Sequence, residues 1–254
     1  MKIFRFKHKK RSIYGILKEE SLLPVRGSVF KNFEVEEEGI PISEAELLPP
    51  VKPSKIVATG LNYRSHAMER GKSIPEEPLI FIKPSSAVIG PHDIIIYPKM
   101  AKRVDYEGEL ALVIKRKAHL VRDNENVEDY ILGYTCFNDI TARDLQEKDR
   151  QFTRAKSFDT FAAVGPCIVT DIDPSRLRIK TFLNGKLKQS AITKNLLFPV
   201  PFLIRFISEI MTLYQGDIIA TGTPAGVGPM FPGDRVDVQI EEIGTLSNTV
   251  MKVK

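Results

Sequence analysis

From residue 55 onward the chain returns repeatedly to short β-branched runs: LIFIK, DIIIY, GELALVI, YILGYTCFND, VGPCIVT, IKTFLNG, GDIIAT and DRVDVQIE. Turn residues separate them. So many short strands demand a large sheet system, because each strand's backbone donors and acceptors must find neighbours. Only two segments carry a clear helical signal. TARDLQEKDR begins with Thr141 as the expected N-cap and has Asp144 three residues on. PFLIRFISEIMTLY places Phe202, Leu203, Phe206, Ile207 and Ile210 at helical spacing, with Arg205 and Glu209 opposite, and is expected to pack that apolar face on the core. The fold class expected is mainly β with a few helices (α+β).

Residues 1–50 hold further strand candidates, MKIFRF and SIYGIL, and end in the proline-marked LLPPVKPSKI. Three prolines stiffen a connector. The expected division is a small N-terminal β domain over 1–50 and a catalytic domain over 51–254.

The 254 residues are 43% hydrophobic and 27% charged, an ordinary balance for a globular chain with a substantial core. Part of the +5 net charge sits in KHKKR at 7–11. A basic β protein that binds nucleic acid is a distant alternative, but no RNA-binding aromatic signature or zinc-finger spacing accompanies the run, and a solvated hairpin turn accounts for it. No nucleic-acid partner is expected. No uninterrupted apolar run of about 18 residues is present, so no membrane span is expected. No apolar h-region follows the N-terminal basic residues, so no leader is expected. Cys136 and Cys167 lie in apolar runs and are expected to be reduced core residues of a cytoplasmic protein.

One strand-like run is anomalous. VDYEGELALVI, residues 104–114, carries Asp105, Glu107 and Glu109 at every second position. Alternate residues of a strand share a face, so the three acids stack and repel. A divalent cation would relieve the repulsion. Glutamates about 6.5 Å apart along a strand can converge on one ion, and Asp139, in FNDITARD, supplies a third carboxylate. An all-oxygen set without His or Cys favours Mg²⁺, Mn²⁺ or Ca²⁺ over zinc. Spacing alone is met equally by a solvated acidic face paired with Lys102, Arg103 or Lys115.

His66 and Glu69 stand three apart in HAMERG, the spacing of a carboxylate that orients an imidazole base; a surface histidine on a mobile loop has the same spacing. Lys156, in RAKSFDTF, could stabilise an oxyanion near a metal or simply face solvent. TGTPAGVGPMFPG, residues 221–233, lacks both phosphate-binding glycine patterns. It could turn backbone N–H groups and Thr223 toward a small anion or serve as a structural turn.

Taken together, GLNYRSHAMERG (60–71), FIKPSSAVIGP (81–91), VDYEGELALVI (104–114), GYTCFNDITARDLQ (133–146), RAKSFDTFAAVGP (154–166) and TGTPAGVGP (221–229) resemble the fumarylacetoacetate hydrolase family, in order and spacing, across nearly all of 55–250. The resemblance implies a mixed β-sandwich roll, commonly dimeric, so a homodimer is expected. It implies Glu107, Glu109 and Asp139 as metal ligands, with Asp105 a supporting acid. It implies His66 and Glu69 as a catalytic pair on a mobile lid running to Pro78, Lys156 as the lysine beside the metal, and Arg143, Gln146 and Thr223 as substrate-binding residues. Ser65 departs from the pattern, standing where relatives often carry an acid. The activity implied is Mg²⁺-dependent chemistry on small 2-oxo acids through an enolate held at the metal: hydrolysis of acylpyruvate-type carbon–carbon bonds, oxaloacetate decarboxylation, or both. The alternative is a 2-hydroxyhepta-2,4-diene-1,7-dioate isomerase or a 5-carboxymethyl-2-oxo-hex-3-ene-1,7-dioate decarboxylase of aromatic catabolism.

Overall fold

The computed structural model describes residues 1–252. Strands make up 45% and helices 16% of the chain, so the expected mainly β class is observed. One long sheet forms the frame. Its path runs through Phe33–Val35, Ser21–Gly27, Arg11–Lys18, Lys2–His8, Ala162–Val169, Ile131–Asp139, Gly108–Ile114, Ile218–Ala220, Lys55–Gly60 and Leu79–Pro84. The N-terminal strands thus continue the same sheet, joined where Lys2–His8 pairs antiparallel with Ala162–Val169. The proline-rich connector packs against this frame, burying Val51. KHKKR forms the turn of the first hairpin, with Lys9 and Lys10 both at positive φ.

Central strands of this sheet are buried on both faces. Every residue of Gly108–Ile114 and of Ile131–Asp139 is buried, which is why both read as near-continuous apolar runs. A five-stranded sheet packs across one face, ordered Ile94–Tyr97, Gly244–Lys252, Arg235–Ile240, Arg178–Leu183 and Lys186–Ile192. The two sheets approach closely at Gly108, where an added Cβ would lie 2.1 Å from Thr181 Oγ1. Only glycine fits there.

The 104–114 stretch is not one strand. It breaks at Glu107 into Val104–Tyr106, in a small third sheet, and Gly108–Ile114, in the long sheet. Partners on the neighbouring strand fix the break: Glu107 N–H donates to Asn138 Oδ1 at 2.9 Å, and Asp139 N–H donates to the Glu107 carbonyl at 2.9 Å.

Four α-helices punctuate the described residues: α1 (Arg64–Glu69), α2 (Arg143–Asp149), α3 (Thr153–Lys156) and α4 (Val200–Ile210). Thr141 is not the N-cap of α2. That position is Ala142, without a side-chain cap, and the Thr141 hydroxyl donates instead to the Asp139 carbonyl. The buried face of α4 also differs from the expected one. It consists of Val200, Leu203, Ile204, Ile207 and Ser208, while Phe202 and Ile210 are exposed. The helix is rotated because Phe202 stacks outward between Phe198 and Phe206, and the Ser208 hydroxyl turns inward to accept Val121 N–H. Both cysteines are buried and free. No helix among the described residues is long and apolar enough to cross a membrane.

Candidate functional site

Three carboxylates from three backbone positions converge below α1. Glu107 comes from the break, Glu109 from the strand that follows, and Asp139 from the end of the paired strand. Each offers an oxygen within 4.8 Å of the others, and all three are buried. Like charges packed this closely need compensation. Glu107 receives Lys156 Nζ at 2.9 Å and the Arg143 guanidinium. Asp139 receives Lys156 Nζ at 2.5 Å and Lys83 Nζ at 2.5 Å. Glu109 has no cationic partner among the described residues; only Gly222 N–H reaches it, at 2.8 Å. Gly222 presents that N–H from positive φ (+97°), a conformation that glycine adopts without strain.

These environments separate the two glutamates. Burial pushes the Glu107 carboxyl up, but Lys156 and Arg143 outweigh it and hold the group well below the usual carboxylate range. Burial, then the charges of Asp139 and Glu107, drives the Glu109 carboxyl well above that range. The two lysines on Asp139 also diverge. Burial dominates at Lys83 and lowers it, whereas at Lys156 the charges of Asp139 and Glu107 overcome burial and raise it.

The donor set fits a hard divalent cation: all oxygen, clustered and buried, with one carboxylate left uncompensated. Glu107, Glu109 and Asp139 are the residues that would hold it. Asp105 stands aside. It accepts Arg103 Nε at 2.8 Å and Arg143 Nε at 2.9 Å, so it orients the arginine that reaches Glu107.

A cavity of about 540 Å³ opens onto this cluster and is lined by eight of the nine expected site residues. The ninth, Glu69, stands behind His66, with Oε2 3.3 Å from His66 Nδ1. The two share a face of α1, as their spacing requires. His66 is buried, which lowers its pKa against the opposing charges of Glu107 and Glu69. Glu69 also accepts Gly226 N–H at 2.8 Å, and Ser65 Oγ accepts Ala225 N–H at 3.4 Å, so α1 rests on the 221–229 loop. Arg143 donates to Gln146 Oε1 at 2.5 Å, aligning both along one wall.

The Thr223 hydroxyl is already engaged. It donates to the Gly108 carbonyl at 2.9 Å and accepts Gln189 Nε2 at 2.8 Å, while Gln189 Oε1 accepts Gly108 N–H at 3.0 Å. This closed ring clamps the backbone between the two glutamates. Sequence reasoning missed both Gln189, in the polar run KLKQS, and Lys83, at the end of the apolar run LIFIK. A lysine closing an otherwise apolar strand just before a proline was the one local signal for Lys83.

Comparison with known proteins agrees with this architecture. Residues 55–251 match the family described as fumarylacetoacetate (FAA) hydrolase C-terminal, and residues 1–50 match Rv2993c-like, N-terminal. An uncharacterized protein of Archaeoglobus fulgidus is 57% identical over 225 residues, covering 89% of this chain and 88% of that protein. Oxaloacetate tautomerase YisK of Bacillus subtilis is 44% identical over 224 residues, covering 82% of this chain and 74% of that one. Among solved structures, 2-hydroxyhepta-2,4-diene-1,7-dioate isomerase from Mycobacterium marinum superposes with a TM-score of 0.92 at 40% identity, covering 99% of this chain and 98% of that one. With these matches running through every segment that builds the cavity, the chain belongs to the fumarylacetoacetate hydrolase family.

Proposed function

We propose that this protein catalyses proton transfer next to the 2-oxo group of small 2-oxo dicarboxylic acids of the oxaloacetate type, interconverting keto and enol forms. The observation that carries this reading is the His66–Glu69 pair facing a buried carboxylate trio across one cavity. A divalent cation on Glu107, Glu109 and Asp139 would supply charge that anchors a 2-oxo carboxylate and acidifies the adjacent carbon. His66 takes the proton from that carbon. Its Nδ1 points at Glu69, which assigns the proton to Nδ1 and the accepting lone pair to Nε2. Glu69 then stabilises the imidazolium. Lys156 and Arg143 supply fixed positive charge for the oxygen on which negative charge develops. His66 returns the proton to oxygen for the enol or to carbon for the keto form.

The dicarboxylate preference draws on the cavity rim. Arg70, Lys72 and Arg150 line it, and only Arg70 is paired, with Glu147 at 3.6 Å. Lys72 and Arg150 have no acid partner among the described residues and suit a distal carboxylate. The tautomerase named at 44% identity supports the same substrate class.

A second reading is cleavage of an acylpyruvate carbon–carbon bond, with His66 activating water. It draws on the cavity volume of about 540 Å³, which has room for an acyl chain and a water beside a pyruvyl unit. A substrate screen with Mg²⁺ separates the two. Ultraviolet decay of enol-oxaloacetate, acylpyruvate loss and conversion of hydroxymuconate-type diacids are followed in parallel. Turnover of acylpyruvates with no acceleration of enol decay would replace the first reading by the second.

A further inference from the structure

A second cavity, of about 720 Å³, lies far along the chain from the carboxylate trio, where the first hairpin meets the proline-rich connector. Arg5 lines it. This residue is 8% exposed, yet its guanidinium makes a single hydrogen bond, from Nη1 to the Pro49 carbonyl at 3.1 Å. No carboxylate among the described residues comes within the 4.0 Å of an ion pair with it. A guanidinium has five N–H donors, so this one keeps donor capacity that Pro49 does not use, and it has no ion-pair partner of its own among the described residues. Elsewhere in this molecule a comparably buried arginine, Arg143, is held by two carboxylates.

The surroundings do not supply the missing anion. Glu46, the acid on the cavity wall, is taken by Lys7 at 3.1 Å. Lys10, on the hairpin turn, and Lys52, on the connector, line the same cavity and have no acid partner among the described residues. Three cations therefore face one space with no neutralising group of their own.

We propose that this cavity binds a small oxyanion-bearing ligand, a carboxylate or a phosphate, anchored by Arg5 and flanked by Lys10 and Lys52, at a site separate from the candidate active site. The Pro49 carbonyl fixes the guanidinium plane, so the donors are arranged before the ligand arrives and little ordering is needed. The exposed lysines add attraction at longer range. The mostly buried Arg5 side chain distinguishes this site from a merely basic surface. A guanidinium held on the cavity wall by Pro49 favours a compact anionic group that reaches it over an extended polyanion, which would contact the exposed lysines alone.

Inorganic phosphate and succinate serve as probes at ionic strength held constant with potassium chloride. Binding is measured by calorimetry on the metal-free full chain, on the active-site rim variant Lys72→Ala/Arg150→Ala, on Arg5→Gln and on the double variant Lys10→Ala/Lys52→Ala, with circular dichroism to check folding. At least one probe is expected to bind one equivalent per chain. That binding should be unchanged in the rim variant and weaker by about tenfold in Arg5→Gln. If phosphate alone binds, the natural ligand is phosphorylated; if succinate alone binds, it is a carboxylate. The double variant changes only exposed side chains, so it keeps the test decisive should Arg5→Gln fail to fold, and it is expected to weaken binding about threefold or more. Absence of binding beyond that of chloride would overturn the proposal. So would binding that disappears in the rim variant or persists undiminished in Lys10→Ala/Lys52→Ala.

Discussion

Lys156 places its ammonium 2.5 Å from Asp139 and 2.9 Å from Glu107, bridging two of the three carboxylates and leaving Glu109 to a backbone N–H. The site is therefore charge-compensated on one side and open on the other. That asymmetry predicts unequal ligands. Glu109→Gln keeps the Gly222 contact and the side-chain shape but removes the one carboxyl of the trio that has no cationic partner among the described residues. Calorimetric titration with Mg²⁺ or Mn²⁺ should show one site per chain in the natural protein and affinity lower by about tenfold or more in the variant. Equal affinity would remove Glu109 from the metal set.

His66 gives the reaction its pH dependence. Burial holds its pKa below the ordinary 6.5, and the neutral form is the one that accepts a proton. Activity should therefore be flat above neutrality and fall on acidification, with a midpoint below 6.5 in the kcat/KM profile. His66→Ala should lose about a hundredfold or more of enolisation activity together with that acid limb. An acid limb that survives unchanged in the variant would assign it to another group.

The rim residues Lys72 and Arg150 should act on binding rather than on chemistry. Removing either is expected to raise KM for oxaloacetate about threefold or more with little change in kcat. Pyruvate, which has no distal carboxylate, provides the control. A matching rise in KM for pyruvate would mean that the two cations do not read the second carboxylate.

Gln189 tests the support behind the metal strand. Gln189→Leu leaves the buried Gly108 N–H without its partner and removes the donor to Thr223 Oγ1, which keeps its bond to the Gly108 carbonyl. Urea unfolding should show a loss of about 1–3 kcal/mol, the usual cost of orphaning a buried polar group. An unchanged unfolding midpoint would show that the ring is not needed to hold the strand.

How much of this could be read from the chain alone depends on the range of each interaction. Glu107 and Glu109 drew attention because alternate strand positions share a face, and His66 and Glu69 because i and i+3 share a helix face, but spacing left a solvated face and a surface histidine equally open; the family resemblance, not the period, implied their roles. Lys83 and Gln189 were hidden. Lys83 reaches Asp139 across 56 positions, and Gln189 meets Gly108 across 81. Such pairings depend on which strands become neighbours, and no local period encodes that. The face of α4 was misjudged for a related reason: Phe202 looks like a core residue by hydrophobicity, but it is exposed and stacks between Phe198 and Phe206, and a serine takes an inner position. The break at Glu107 was invisible because it is set by Asn138 on another strand.

Exchange of the C3 protons of oxaloacetate or pyruvate with deuterium, followed by NMR as Mg²⁺ is titrated, measures enolisation itself without requiring turnover to a product. The expected result is cation-dependent exchange far above that of free Mg²⁺, lost by about a hundredfold or more on chelation and in Glu109→Gln. Exchange no faster than with free Mg²⁺, or equally fast in the chelated protein, would contradict proton transfer at the Glu107–Glu109–Asp139 centre.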